Sequence, residues 1–349
     1  MTVASHRVSG VWFQDNAQEK AMKKALIGLT LCAMLFALCS SAAAQQSAKI
    51  PRIGYLTAVS LSAYSTRVEA FRQGLREHGY VEGKNIVIEW RSSEGTRERT
   101  SALASELVRL RVDVIVSGGL GATRAAKAAT STIPIVMTRD SDPVANGFVA
   151  SLAHPGGNIT GLSNLASDLV GKRLELLKEI VPKLSRVAVF GTSTNVDDAR
   201  ELKEIENTAG ALGVKVHYLD ILTSKDIDTA FRAATKARVD AVIMNISGPI
   251  ALSNRKEIAE LAVKNRLPAI YTLREHVEAG GLMNYGADLA ESDRRAAIYV
   301  DKILKGAKPA DLPVEQPKKF EFIINLKAAR QIGLTIPPNV LARADKVIR

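Results

Sequence analysis

The stretch that decides the fold of this chain runs from Val112 to Met137 and reads VDVIVSGGLGATRAAKAATSTIPIVM. Residues 112–117 and 133–137 are β-branched and apolar along most of their length, which is typical of strands buried on both faces of a parallel sheet. Residues 121–130 lie between them and have the pattern of an amphipathic helix. A strand, a helix and a second strand in one short segment predict a parallel βαβ unit.

The same alternation of apolar strands and helical patterns extends in both directions from this segment. The other strands that we predict cover 53–57, 85–90, 187–190, 214–219, 241–245, 269–271 and 320–324. Turn-forming residues at 154–158 interrupt the alternation once, after which it begins again. Two successive sets of βα units predict an α/β fold of two doubly wound lobes, each with its own parallel sheet.

Length and composition agree with two lobes and exclude several classes of protein. The chain has 349 residues, of which 46% are hydrophobic, and its formal net charge is +11. Basic residues alternate with acidic ones, as in Arg97-Glu98-Arg99, and aromatic residues make up only 5% of the chain. Because nucleic-acid-binding surfaces need clustered basic residues, we do not expect nucleic acid as a partner.

The N-terminal segment has the three parts of a secretory signal peptide. Lys23-Lys24 precede an apolar run from Ala25 to Cys39, and Ala42-Ala43-Ala44 offer a cleavage site before Gln45. We therefore expect residues 1–44 to be a signal peptide, with Met22 as a possible true start, and the remaining 305 residues to be periplasmic. The alternatives are a membrane anchor and a lipoprotein modified on Cys39, although Leu38 is large for a lipobox.

Ligands of open parallel sheets bind beyond the C-terminal ends of the strands, and this rule selects the loops in which we expect a binding site. Glycines after the strand at 112–117 expose backbone N–H groups that suit a carboxylate, or else form a tight turn. Asp140 and Asp142 follow the next strand and suit an ammonium group, or else cap the following segment. The residues that we expect to bind ligand are Ser60, Tyr64, Gly118, Gly119, Gly121, Thr123, Asp140, Ser141, Asp142, Thr192, Ser193, Ser247, Tyr271, Glu275 and Tyr285.

The chain contains no recognisable catalytic or metal-binding pattern. There is no Gly-x-Ser-x-Gly motif, and the cysteines Cys32 and Cys39 both precede Gln45. The five histidines are scattered without the spacing of metal ligands. We therefore expect no enzyme activity, no metal and no cofactor.

Several motifs along the chain resemble those of one protein family. They are Ile53–Leu56, Phe71–Tyr80, Asp142–Val144, His154–Gly161, Ile303–Pro309 and Ile324–Ala329. With these motifs the chain resembles ABC-transporter substrate-binding proteins of the periplasmic-binding group related to tryptophan and phenylalanine binders. The resemblance implies a type I periplasmic-binding fold, whose two lobes are joined by three crossings and close around a ligand. Those crossings would lie near Gly161-Leu162, Leu282-Met283 and Gly306-Ala307.

On this basis the first lobe would comprise 50–161 and 284–306, and the second 162–283 and 307–349. We expect a monomer that captures a small zwitterion, such as an amino acid, and delivers it to an inner-membrane ABC permease. Backbone amides, carboxylates and tyrosine rings together suit a carboxylate, an ammonium and an apolar body. The alternatives are a periplasmic sensor that docks on a receptor or kinase, a sugar-type ligand, and an enzyme.

Overall fold

The first sheet of the computed structural model has five parallel strands in the order β2-β1-β3-β4-β5. They are β1 Arg52–Thr57, β2 Val87–Ser92, β3 Val114–Gly118, β4 Ile135–Met137 and β5 Ile159–Gly161. The central strands β1 and β3 are buried almost throughout, as their apolar sequences predict. The structure describes residues 49–246 and 248–349, and for Val196 the backbone alone.

The second sheet has seven strands in the order β12-β11-β10-β9-β8-β6-β7. They are β6 Arg186–Gly191, β7 Lys215–Asp220, β8 Ala241–Met244, β9 Ala269–Tyr271, β10 Met283–Ala287, β11 Phe320–Asn325 and β12 Lys346–Ile348. β10 and β11 pair antiparallel, whereas the remaining neighbours pair parallel. The predicted α/β architecture of two mainly parallel sheets is therefore confirmed, with an antiparallel addition at one side of the second sheet.

Helices cover both faces of each sheet. They are α1 Ser65–Glu77, α2 Arg97–Arg109, α3 Leu120–Ala129, α4 Val170–Ile180, α5 Val196–Ala211, α6 Asp226–Lys236, α7 Gly248–Ser253, α8 Arg255–Lys264, α9 Arg274–Glu278, α10 Leu289–Leu304, α11 Leu326–Gln331 and α12 Pro338–Leu341. Each sheet therefore separates two apolar clusters, one on either face. This covering explains why the parallel strands are apolar without alternation.

Helix α10 belongs to the first lobe although it follows a strand of the second. The side chain of Asp288 caps its N-terminus by accepting hydrogen bonds from the backbone N–H groups of Ala290 and Glu291. The helix then packs along α1. The approach is close at Gly74, where an added Cβ would lie 2.2 Å from the backbone oxygen of Arg294.

Two of the expected lobe boundaries need correction. The range 284–306 was assigned to the first lobe, but β10 pairs within the second sheet, so the chain changes lobe at Asp288. The third crossing was expected at Gly306-Ala307, but Glu315 still pairs with Leu162 beside the first sheet. The chain therefore crosses between Glu315 and Phe320. Leu162 pairs with Glu315, and the backbone N–H of Asn164 bonds the Asp140 carbonyl, so the chain leaves the first lobe for the first time after Asn164.

Within residues 49–246 and 248–349, none of the helices has the length and hydropathy that a membrane span requires. The expected signal peptide at 1–44, with its alternatives, lies outside the described residues.

Candidate ligand-binding site

Loops that follow strand ends in one lobe contact the corresponding loops of the other. Gly95, after β2, lies against Pro249 of α7, with 3.4 Å between the Pro249 Cβ and the position of an added Cβ on Gly95. Leu252 of the same helix is buried in the apolar cluster of the first lobe that contains Val59 and Tyr64. Helix α7 of the second lobe therefore contacts the first lobe through both Pro249 and Leu252, as expected when the cleft between the lobes is closed.

The start of helix α3 forms one polar wall of this cleft. Gly119 precedes the helix with φ +109°, a conformation that favours glycine, and no side chain caps the helix N-terminus. Such a terminus presents backbone N–H groups and the positive end of the helix dipole. Gly118 and Gly119 therefore lie where the sequence predicts an anion cradle. Thr123 is buried in the helix and hydrogen-bonds Ser117 (2.8 Å between the hydroxyl oxygens) and the Gly119 carbonyl.

Arg139 lies directly against this glycine turn. Its guanidinium donates to the Gly118 carbonyl (3.2 Å) and to the hydroxyl of Tyr64. No carboxylate among the described residues lies within ion-pair distance of it. The buried carboxyl of Asp293, which accepts a hydrogen bond from Tyr55 (2.5 Å), interacts with Arg139 electrostatically beyond ion-pair distance. A half-buried guanidinium beside an uncapped helix N-terminus suits a carboxylate ligand.

Tyr64 connects two arginines. Its buried ring has the guanidinium carbons of Arg67 and Arg139 at 4.8 and 5.1 Å from its centroid. Both distances are within the range of cation–π attraction. The ring therefore positions both cations, in addition to any contact with a ligand.

The loop that contains Asp140, Ser141 and Asp142 forms a second polar wall, opposite the start of α5 in the second lobe. Ser141 donates a hydrogen bond to Asp197 across the cleft, and Arg200 forms an ion pair with Asp142 (3.3 Å). Asp142 also accepts the backbone N–H of Ala145, as expected for a cap. The Asp142 carboxylate therefore already has two partners, the Arg200 guanidinium and the Ala145 N–H.

Asp140 is more deeply buried than Asp142. One carboxylate oxygen accepts hydrogen bonds from the Asp142 backbone N–H (3.0 Å) and the Asn146 side chain (2.8 Å). The other is buried without a hydrogen bond. Burial raises the pKa of Asp140 to about 7, and the nearby Asp197 carboxylate acts in the same direction.

Arg67 and Glu275 form an ion pair between the lobes beside the hinge. Arg67 in α1 donates to Glu275 in α9 at 2.7 Å, and only 3% of the Arg67 side chain is exposed. Burial raises the pKa of Glu275, but the Arg67 charge outweighs this and holds the pKa below its ordinary value. A cavity of about 120 Å³ adjoins the pair, with Thr66, Leu273 and Leu289 also in its wall.

We expect Glu275→Gln to lower the stability of the closed form by about 2 kcal/mol, because it leaves the buried Arg67 charge without a counter-charge. The melting temperature should fall accordingly. The control is Glu278→Gln on the same helix, whose exposed ion pair with Arg274 contributes about 1 kcal/mol or less. Equal shifts for the two variants would contradict the role given to Glu275.

Other residues of the expected site have local partners in this structure or lie outside the described residues. Ser60 hydrogen-bonds within its own loop, Thr192 donates to the Ile221 carbonyl, and the exposed Ser193 donates to Asp220. Gly121 lies exposed in the first turn of α3. Ser247 falls outside the described residues.

Two of the expected tyrosine rings pack inside the second lobe. The buried ring of Tyr271 stacks on His276, with 4.8 Å between centroids and 9° between planes. Tyr285 packs against Phe320 and Phe322. Both rings are thus committed to side-chain packing, whereas Tyr64 lies at the cleft.

Sequence reasoning missed Arg67, Arg139 and Asp197. Arg139 directly follows the predicted strand 133–137 and precedes Asp140, so the strand-end rule was sufficient to select it. Asp197 and Arg67 lie in the first turns of helices that follow strands, a weaker signal because acidic and polar residues are common there. Among the described residues, no group of three or more His, Cys, Asp or Glu side chains is arranged to hold a metal ion.

The chain is similar to known proteins over most of its length. A tyrosine-binding protein of Clostridioides difficile (strain R20291) is 28% identical over 279 residues, which are 80% of either chain. The crystal structure of a conserved domain protein from Vibrio cholerae has a TM-score of 0.80 and 29% identity, covering 86% of this chain and 100% of that one.

Two further solved structures differ in their ligand state. The ABC domain in complex with L-Trp from Streptococcus pneumonia has a TM-score of 0.78 at 27% identity, over 85% of this chain and 99% of that one. The ligand-free, open structure of a substrate-binding protein with adhesive properties from Clostridium difficile has a TM-score of 0.64 at 27% identity, over 86% and 99%.

The profile of one family, described as ABC transporter substrate binding protein, matches residues 52–348. This match spans both sheets and all three crossings between the lobes. The chain therefore belongs to the family of ABC transporter substrate-binding proteins.

Proposed function

We propose that this protein captures an amino acid between its two lobes and delivers it to the permease of an ABC importer. The observation that carries the proposal is the pairing of opposite charges in the cleft. Arg139 and the uncapped start of α3 suit the carboxylate of a ligand, and the unpaired oxygen of Asp140 suits its ammonium group. A zwitterion satisfies both at once.

An aromatic amino acid is the first candidate ligand. The relative from Clostridioides difficile is a tyrosine-binding protein, and the structure from Streptococcus pneumonia contains L-Trp. At the same identity of 27%, the TM-score is higher with that complex than with the ligand-free, open structure. This difference supports an arrangement of the lobes that is more similar to the L-Trp complex than to the open structure.

Delivery to a permease places the protein outside the cytoplasmic membrane. The signal-peptide pattern at Lys23–Ala44 supports export to the periplasm, and a monomer is sufficient because both walls of the cleft come from one chain. A sugar ranks below an amino acid as the ligand, because a sugar has no anionic group that could pair with Arg139.

Calorimetry with a designed ligand series tests the proposal. The series is L-tyrosine, L-tryptophan, tyramine, which lacks the carboxylate, 3-(4-hydroxyphenyl)propionate, which lacks the ammonium, and glucose. We expect binding of at least one of the two amino acids. Each truncated analogue should bind about 30-fold or more weakly, because it leaves one buried charge unpaired. Binding of glucose alone, or equal affinity for an amino acid and both analogues, would refute the zwitterion site.

A further inference from the structure

Five carboxyl groups from the two lobes meet where Asp140 faces helix α5. Asp140 and Asp142 come from the first lobe, and Asp197, Asp198 and Glu201 from the start of α5. Asp140, Asp197, Asp198 and Glu201 are all at most 7% exposed. Carboxylates of like charge at such depth repel one another strongly, because little water screens them.

Two guanidinium groups oppose these five carboxyls. Arg200 lies 3.3 Å from Asp142 and 3.8 Å from Asp197. Arg173 interacts with Glu201 but is fully buried and donates its hydrogen bonds to the backbone carbonyls of Tyr285 and Ala166. The cluster therefore has more carboxyl groups than cations when all of its carboxyls are ionised.

The geometry identifies where positive charge is missing. Asp140 Oδ2 and Asp197 Oδ1 are both buried without a hydrogen bond, and they belong to opposite lobes. Arg200 lies 3.8 Å from Asp197 Oδ1, so the oxygen with no cation within ion-pair distance among the described residues is Asp140 Oδ2. Asn245, at the end of β8, is buried beside Glu201, and the interaction of its side-chain amide with that carboxyl lowers the pKa of Glu201. Unpaired buried polar atoms are costly, which indicates that a hydrogen-bonding group is to be accommodated here.

We propose that closure of the lobes takes up one positive charge between Asp140 and Asp197: the ammonium group of the ligand when it is bound, and a proton when it is not. Binding of the ligand ammonium rests on the proposed function, whereas uptake of a proton concerns the chain alone. The pair would thus select ligands that carry an ammonium group and couple their capture to proton release.

The direction in which pH changes lobe closure follows from the raised pKa values of the buried carboxyls. Burial raises the pKa of Asp140 to about 7 and of Glu201 to about 6, and burial together with Glu201 raises that of Asp198 to about 8. The neighbours that shift Asp198 and Glu201 all belong to the second lobe, whereas Asp140 is shifted by Asp197 of the opposite lobe. Closure therefore changes proton uptake at Asp140, and between the ordinary pKa of that carboxyl near 4 and its raised value the closed form binds more protons than the open form. Closure without ligand is therefore favoured at low pH and is lost as the pH rises through about 7.

The ligand-free arm of the test needs no knowledge of the ligand. The radius of gyration from X-ray scattering and the melting temperature are measured from pH 5.5 to pH 8.5 for wild type and Asp197→Asn. Wild type should expand and melt earlier as the pH rises, and Asp197→Asn should respond less because the repulsion on Asp140 is removed. The matched control, Asp228→Asn, changes an exposed carboxylate in α6 that pairs with Arg232 at 2.6 Å.

The ligand arm uses L-tyrosine at pH 6.5 in two buffers with different ionisation enthalpies. Proton release on binding should appear in wild type and decrease in Asp197→Asn, which should also bind about tenfold more weakly. A wild-type pH response identical to that of Asp197→Asn in the ligand-free arm would overturn the inference. If that arm succeeds but L-tyrosine gives no heat, the proposed ligand is wrong and the charge pair remains.

Discussion

Replacing Arg139 with alanine is expected to weaken the binding of L-tyrosine by about 30-fold or more, because the ligand carboxylate loses its charged partner in a site shielded from water. The remaining backbone N–H groups of α3 provide a weaker, uncharged interaction. Arg139→Lys should recover part of the affinity, since an ammonium keeps the charge but not the planar fork of donors. Calorimetry of the three proteins measures the effect.

The control for this experiment is Arg124→Ala. Arg124 lies in the same helix whose N-terminus Arg139 covers, but its side chain is exposed. Its removal changes the net charge equally and should leave the affinity nearly unchanged. Because Arg139 also hydrogen-bonds Tyr64 and Gly118, the melting temperature of each variant must be measured in parallel. An Arg139→Ala protein that is folded and binds with wild-type affinity would remove Arg139 from the site.

Replacing Gly74 with alanine is expected to destabilise the protein by about 3 kcal/mol, toward the upper end of the cost of overpacking. The new Cβ would lie 2.2 Å from the backbone oxygen of Arg294 and 2.9 Å from the Cβ of Ala297, so α1 and α10 must move apart. The gain of about 1 kcal/mol in helix propensity is too small to offset this cost. A lower melting temperature measures the effect.

Gly210→Ala is the matched control for the same substitution in a helix. Gly210 is exposed near the end of α5, and no atom lies within 4 Å of its added Cβ. This variant should gain about 0.5–1 kcal/mol, because alanine has the higher helix propensity and restricts the unfolded chain. If both variants shifted the melting temperature in the same direction, the close contact between α1 and α10 would not be what requires glycine at position 74.

The strands of both lobes were predictable because each carries its own signal. The expected strand 53–57 corresponds to β1 Arg52–Thr57, and the expected 241–245 to β8 Ala241–Met244. Apolar runs bounded by turn residues record burial on both faces, and burial is the same wherever the strand lies in the sheet. By contrast, β5 Ile159–Gly161 directly follows the turn-forming residues 154–158 and ends in glycine, and helix α9 Arg274–Glu278 is too short to show a helical periodicity.

The candidate site was only partly predictable for a related reason. The strand-end rule led to Gly118, Gly119 and Asp140, which have an uncapped helix start, a neighbouring arginine and an unpaired carboxylate oxygen, and their role in binding stays a prediction. The partner of Asp142 is Arg200, which lies 58 residues further along the chain in the other lobe. No local pattern connects two such positions. The ring of Tyr271 also follows a strand, but contacts with His276 direct it into the lobe.

The sequence by itself determined the two sets of βα units, their mainly parallel sheets and the glycine turn before α3, because hydrophobic periodicity and glycine requirements are local properties of the chain. Only the tertiary structure decided which charges meet. Asp140 lies against Asp197 because the two lobes meet, and Arg139 packs against Tyr64, which is 75 residues away in sequence, without a carboxylate of the described residues at ion-pair distance. Buried charges are governed by their nearest neighbours in space, and those neighbours are distant in sequence.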